Sequence, residues 1–230
     1  MDKQVRGGRN AHTNLLVYYL ILISSIIFNI VLITVFFVSK MSASKKYTIW
    51  LTGIPASGKT TLAKSITETY QNVFLIDSEE ASKKITPSSS FSQKERLCVY
   101  NGMIYSASCL NKCGINVIIA ATGNYRRFSE QARKVIENFI EVYVNCSVEI
   151  CMRRDPKGFY KKAKNGEIST LPLLIEGVND DFVKENFPLF DIYEPPLNAD
   201  LIINTDTLRL KESTDTLVDF LKLKKVLGYV

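Results

Sequence analysis

The chain has 230 residues, of which 46% are hydrophobic and 23% charged, with a formal net charge of +6. That apolar fraction excludes a disordered tail and is enough for the core of one ordinary domain with an appendage. The positive charge suits a polyanionic ligand such as a nucleotide, but the basic residues are scattered, form no stripe and give no support to a nucleic-acid partner.

Residues 1–14 form a short N-terminal segment. Leu15 to Val38 carries no charged residue and is long enough to cross a bilayer as a helix, so a transmembrane helix is expected over 15–38. A cleaved signal peptide fits less well, because it has a shorter apolar core and a small-residue cleavage site. Lys3, Arg6 and Arg9 precede the run and Lys40, Lys45 and Lys46 follow it, so charge does not orient it. A linker over 39–46 leads to the main domain over 47–230.

From Tyr47 onward, short apolar runs alternate with helical patterns. Residues 47–52, 73–77, 115–121, 139–146 and 199–205 are rich in Val, Ile and aromatics, mostly apolar on both faces, as strands buried between helix layers are. Helices are expected over 59–70, 92–113, 126–138, 147–154 and 214–227. Ser92 and Glu95 have capping-box spacing, and Ser147 can cap the fourth helix. The order predicts a three-layer α/β domain with a mostly parallel five-stranded sheet. The stretch from about Asp155 to Asn198 holds most of the prolines, and a loop that long inside a compact domain is usually functional, so it reads as a lid, about 153–192.

The stretch after the first strand, Gly53-Ile54-Pro55-Ala56-Ser57-Gly58-Lys59-Thr60-Thr61, matches G-x-x-x-x-G-K-[ST] between a strand and a helix. Its glycines let backbone N–H groups turn toward a phosphate at the helix's positive end. Lys59 would reach the β and γ phosphates of ATP, and the Thr60 hydroxyl would ligate Mg²⁺. Asp77 ends the second strand at the same carboxyl edge, where it could take a proton from an acceptor hydroxyl, hold Mg²⁺ through water, or cap the next helix. A small-molecule kinase also needs an acceptor site and a lid that excludes water, which the long stretch could supply. A domain that uses ATP should face the cytoplasm, so with the apolar run the expectation is a single-pass membrane protein. A start at Met41 would make it cytoplasmic.

Cys98, Cys109, Cys113, Cys146 and Cys151 form no C-x-x-C pair, and the one histidine, His12, lies far from them. Reduced, buried thiols are expected in place of a metal site.

The strings "WLTG", "GKTTLA", "LID", "FSQKER", "GINVIIA", "YRR", "RDPKGFYKKA" and "YEPPLNADLIINT" resemble, in order from Ile49 to about Thr205, those of adenylylsulfate kinases. The resemblance implies a P-loop kinase that passes the γ-phosphate of ATP to the 3′-hydroxyl of adenylylsulfate. It also implies that Asp77 activates that hydroxyl, that Phe91 stacks on the acceptor's adenine and that Arg96 pairs with its anionic group. Tyr125 and Arg126 would stand on the acceptor side, Arg154 against the ATP base, and Lys161 and Lys162 toward anionic substrate. Relatives are commonly dimers, so a homodimer is one arrangement the resemblance allows.

This chain also departs from the family. The family's D-G-D-x-x-R is "DSEEAS" here, which puts Ser82 in place of an arginine, and Val99 replaces an asparagine. The family's S-P-Y-R is Gly123-Asn124-Tyr125-Arg126, and about fifteen extra residues lie between Ile168 and Tyr193. Two alternatives therefore stand beside the leading reading: a kinase for another nucleotide conjugate, such as cytidine diphosphoramidate, and a membrane-tethered nucleotide-binding protein without transferase activity.

Overall fold

The computed structural model describes residues 19–35, 45–86, 92–168, 171–176, 181–187 and 190–227. The chain divides into two units, Met1–Ser44 and Lys45–Val230.

In the first unit a helix, α1, covers residues 19–35. Among the described residues no helix is long and apolar enough to cross a membrane. This overturns the expected transmembrane helix over 15–38 and with it the single-pass membrane protein. Residues 15–18 and 36–38, the ends of that expected span, lie outside the described residues.

The second unit is a three-layer α/β domain. Its sheet holds β1 (Thr48–Thr52), β2 (Val73–Asp77), β3 (Asn116–Ala120), β4 (Phe139–Asn145) and β7 (Leu201–Asn204) in the order β2-β3-β1-β4-β7. Every pairing in it is parallel. The central strand shows why these runs become strands: Ile49, Trp50 and Leu51 are all fully buried. Ile49 and Leu51 pack with α2 (Lys59–Thr69) and α9 (Leu210–Leu223) through Leu62, Ile66, Leu217 and Leu221. Trp50 packs on the other face with α4 (Gln93–Lys112) and α5 (Arg126–Val135) through Val99, Met103 and Phe128. Each such side chain stabilises the fold by roughly 1.5–3 kcal/mol on burial.

Ser92 and Glu95 form the expected capping box at α4. Ser147 stands at the N-cap of α6 (Val148–Arg154), but its side chain makes no capping bond. α9 begins one turn before the helix read from the sequence, at Leu210, and α3 (Ser78–Ile85) was not expected as a separate helix. The cysteines are free, but only Cys146 and Cys151 are buried, while Cys98 and Cys113 are exposed.

The stretch expected to be an irregular lid is partly regular. It contains α7 (Phe159–Lys164), β5 (Pro172–Ile175), α8 (Asp181–Asn186) and β6 (Asp191–Tyr193), with β5 and β6 paired in parallel as a second, two-stranded sheet. Tyr160, Leu171, Leu173, Val183, Phe187 and Tyr193 give it a core of its own, which joins the main domain at Ile54, Cys146 and Cys151. Strands of three and four residues are too short for periodicity to reveal.

Candidate active site

The central strand delivers the chain to the phosphate loop at the sheet's carboxyl edge. Gly53 is required there because a Cβ on it would lie 2.4 Å from the carbonyl oxygen of Val144 on β4. Gly58, with φ +103°, turns the chain into α2, and Ala56 holds a left-handed conformation rare outside glycine, a strain typical of ligand clamps. Lys59 bends back over the loop, its Nζ donating to the carbonyls of Gly53 at 2.7 Å and Ile54 at 2.8 Å and to Ser57 Oγ at 3.3 Å. Burial lowers its pKa to about 8, against the opposing pull of Asp77 and nearby thiols.

Asp77 divides its two oxygens. Oδ2 accepts from Thr60 Oγ1 at 2.7 Å, while Oδ1 accepts from the backbone N–H groups of Glu79 and Glu80 and so caps α3. The capping role and the site role are thus held together. A hydroxyl and a carboxylate meeting beside a phosphate loop suit Mg²⁺, a hard cation that takes its remaining ligands from phosphate and water.

Loop and pair open into a cavity of about 790 Å³. It runs from Arg154, Leu208 and Ser213 at one end, past Lys59, Thr60 and Asp77, to Arg96, Val99 and Asn124 at the other. That volume suits a nucleotide-sized ligand or two. At the first end Arg154 is fixed by Thr205, donating to its carbonyl at 2.6 Å, and the Thr205 hydroxyl donates to the Ser57 carbonyl at 3.0 Å. Ser213 Oγ is buried with no hydrogen-bond partner.

The far end is built by the turn after β3. Tyr100, stacked on Phe128 at 4.1 Å between ring centroids, accepts the Gly123 N–H at 2.9 Å. Thr52 Oγ1 donates to the Thr122 carbonyl at 2.7 Å. Asn124 thereby lies at the cavity wall, with Arg96 of α4 beside it. Both donate to Asp191 Oδ2, Arg96 at 2.9 Å and Asn124 at 3.2 Å, and Tyr125 donates its hydroxyl proton to Asp191 Oδ1 at 3.0 Å.

The sequence-derived candidates thus separate. The phosphate loop residues from Pro55 to Thr61, Asp77, Arg96 and Arg154 line the cavity; Gly53 and Ile54 carry the carbonyls that hold Lys59. Tyr125 and Arg126 do not line it. Arg126 ties down the lid, donating from its backbone to Glu194, from Nη1 to the Pro195 carbonyl and from Nη2 to Glu176. Lys161 and Lys162 are exposed on α7, away from the cavity wall. Phe91 lies outside the described residues.

Four residues were not singled out from the sequence. Lys157 reaches Glu79 across the cavity. Partial burial acts to raise the pKa of Glu79, but Lys157 and Lys83 hold it below the usual carboxylate range. Tyr160 is buried and donates to the Pro55 carbonyl at 2.8 Å, so the lid string's tyrosine supports the phosphate loop. Asn124 and Asp191 carried no sequence signal except as departures or additions relative to relatives.

Comparison with known proteins bears on the same region. The family model for adenylylsulphate kinase matches residues 45–204. A probable adenylyl-sulfate kinase of Archaeoglobus fulgidus is 35% identical over 164 residues, which is 70% of this chain and 96% of that one. The adenylyl-sulfate kinase of Staphylococcus haemolyticus is 30% identical over 82% of this chain and 90% of its own. The APS kinase of Mycobacterium tuberculosis, solved in complex with AMPPNP and APS, superposes with a TM-score of 0.63 at 25% identity, covering 77% of this chain and 98% of that one. With its phosphate loop, lid string and sheet order in place, this chain belongs to the adenylylsulphate kinase family.

Proposed function

We propose that the chain transfers the γ-phosphate of ATP, with Mg²⁺, to the 3′-hydroxyl of adenylylsulfate. The observation that carries this reading is the single cavity joining the phosphate loop and the Thr60–Asp77 pair to Arg96 and Asn124. ATP lies with its base toward Arg154 and its phosphates in the loop. Thr60 and Asp77 would hold Mg²⁺, which would supply positive charge to offset that of the phosphates. Asp77 takes the proton of the 3′-hydroxyl as that oxygen bonds to the γ-phosphorus, and the bond from phosphorus to the β,γ-bridging oxygen breaks to release ADP. Lys59 stabilises the charge that moves between them. Arg96 pairs with the acceptor's anionic end.

One observation favours a second acceptor. Ser82 and Val99 stand where relatives carry arginine and asparagine, and both line the cavity. A kinase of the same mechanism acting on a different nucleotide conjugate would be altered at such positions. Incubation with γ-labelled ATP, Mg²⁺ and either adenylylsulfate or a panel of nucleotide conjugates separates the two. Label on adenylylsulfate at ordinary efficiency supports the first reading, and its absence together with label on another conjugate replaces it with the second.

A further inference from the structure

We propose that Asn124 binds the 2′-hydroxyl of the acceptor's ribose and that Asp191 is the residue that positions it. The inference rests on the adenylylsulfate reading above and deepens it. The position is this chain's own: the resemblance places a proline at 124, which has no side-chain amide.

Asn124 is 1% exposed and is one of the residues that line the cavity. Its orientation follows from chemistry. A carboxylate only accepts, so the atom facing Asp191 Oδ2 at 3.2 Å is the amide nitrogen. That leaves Oδ1, which has no partner among the described residues, as an acceptor for a ligand's donor.

Asp191 is suited to fix this orientation. It accepts from Arg96, Asn124, Tyr125 and the N–H of Ile192, which uses both oxygens fully. Asp191 and Tyr125 do not line the cavity, whereas Arg96 and Asn124 do. The carboxylate therefore stands behind a cation and an amide and holds them side by side, within 2.9 and 3.2 Å of one oxygen.

A cationic donor next to a neutral acceptor matches a ligand with an anionic group beside a hydroxyl, as in a ribose 5′-phosphate conjugate. The 3′-hydroxyl must meet Asp77 to be phosphorylated, which leaves the 2′-hydroxyl for Asn124.

The test compares adenylylsulfate with its 2′-deoxy analogue in the wild-type chain and in Asn124→Ala, Asn124→Ser and Asp191→Asn, with the thermal midpoint and the KM for ATP as controls. One neutral hydrogen bond corresponds to about three- to tenfold in kcat/KM, so the wild type should prefer the ribose substrate by that factor. Asn124→Ala should abolish the preference and leave the KM for ATP within about twofold. Asp191→Asn should blunt the preference and raise the acceptor KM. An unchanged preference in both Asn124 variants overturns the role of Asn124; its loss there but full retention in Asp191→Asn overturns the positioning role. No phosphorylation of adenylylsulfate by the wild type would be failure of the proposed function itself, a different result from turnover without a ribose preference.

Discussion

Thr60 and Asp77 meet at 2.7 Å, Oγ1 to Oδ2, and so join the first turn of α2 to the end of β2. Because the other oxygen of Asp77 caps α3, the two contributions of this residue can be separated by substitution. Asp77→Asn keeps a carbonyl for the cap but removes the base; kcat should fall about 10²- to 10⁴-fold with the melting temperature nearly unchanged. Asp77→Ala should lose the same activity and about 1 kcal/mol of stability in addition. Undiminished turnover in Asp77→Asn, measured with the acceptor that the chain uses, would remove the proton-accepting role.

Lys59 links catalysis to stability through its burial. Its folded-state pKa of about 8 lies below the ordinary lysine value of 10.5, so between those limits the unfolded chain binds more proton than the folded one. Stability contributed by this group therefore rises as pH increases from about 8 to about 10.5, and the cost of burying the charge is fully present below 8. Lys59→Met should be more stable than the wild type at pH 7 by on the order of 2 kcal/mol, and the gap should close across that window. Its phosphoryl transfer should fall about 10³-fold. Denaturant titrations at pH 7 and pH 10 check the sign; a gap that widens with pH would show that the ammonium is not penalised by burial.

The main sheet and the phosphate loop were legible in the sequence because their signals are local. Ile49, Trp50 and Leu51 form one uninterrupted apolar run, and Gly53, Gly58 and Lys59 fall at fixed spacing after it. The lid was not legible as structure. Pro172–Ile175 and Asp191–Tyr193 are too short to show a period, and they pair only through contacts made across some twenty residues. The acceptor end was legible only in part, for the same reason: Arg96, Asn124, Tyr125 and Asp191 come from three distant segments, and their grouping depends on tertiary placement. The apolar run at the N-terminus gave an expectation of a membrane span from length and hydropathy alone, but among the described residues no helix is long and apolar enough to cross a membrane.

Arg96 and Arg126 were both expected on the acceptor side, yet only Arg96 lines the cavity. Arg126 spends its guanidinium on Glu176 and the Pro195 carbonyl. Arg96→Ala should therefore raise the acceptor KM by at least about tenfold, the scale of a lost charge-assisted hydrogen bond. Arg126→Ala should change it by less than about threefold and should instead destabilise the chain by about 1 kcal/mol, since its ion pairs are partly solvent-exposed. Steady-state kinetics with thermal denaturation on both variants separates the roles. A larger effect on acceptor KM from Arg126 than from Arg96 would reverse them.

Ser213 offers a test at the opposite end of the cavity. Ser213 is 2% exposed and its hydroxyl has no hydrogen-bond partner, although it lines the cavity together with Arg154, Leu208 and Thr61. A buried hydroxyl that finds no partner costs about 1–3 kcal/mol, because its bonds to water are lost without replacement. Removing it by Ser213→Ala leaves a methyl group of nearly the same shape and should stabilise the ligand-free chain by about 1 kcal/mol. If the ATP base supplies the missing partner, the same substitution should raise the KM for ATP by about three- to tenfold while the acceptor KM stays constant. Melting temperatures with and without ATP read both effects at once: the variant should start higher and gain less from the nucleotide. An equal gain in the two proteins would place Ser213 outside the base site, and a lower starting point would mean that the hydroxyl is bonded after all.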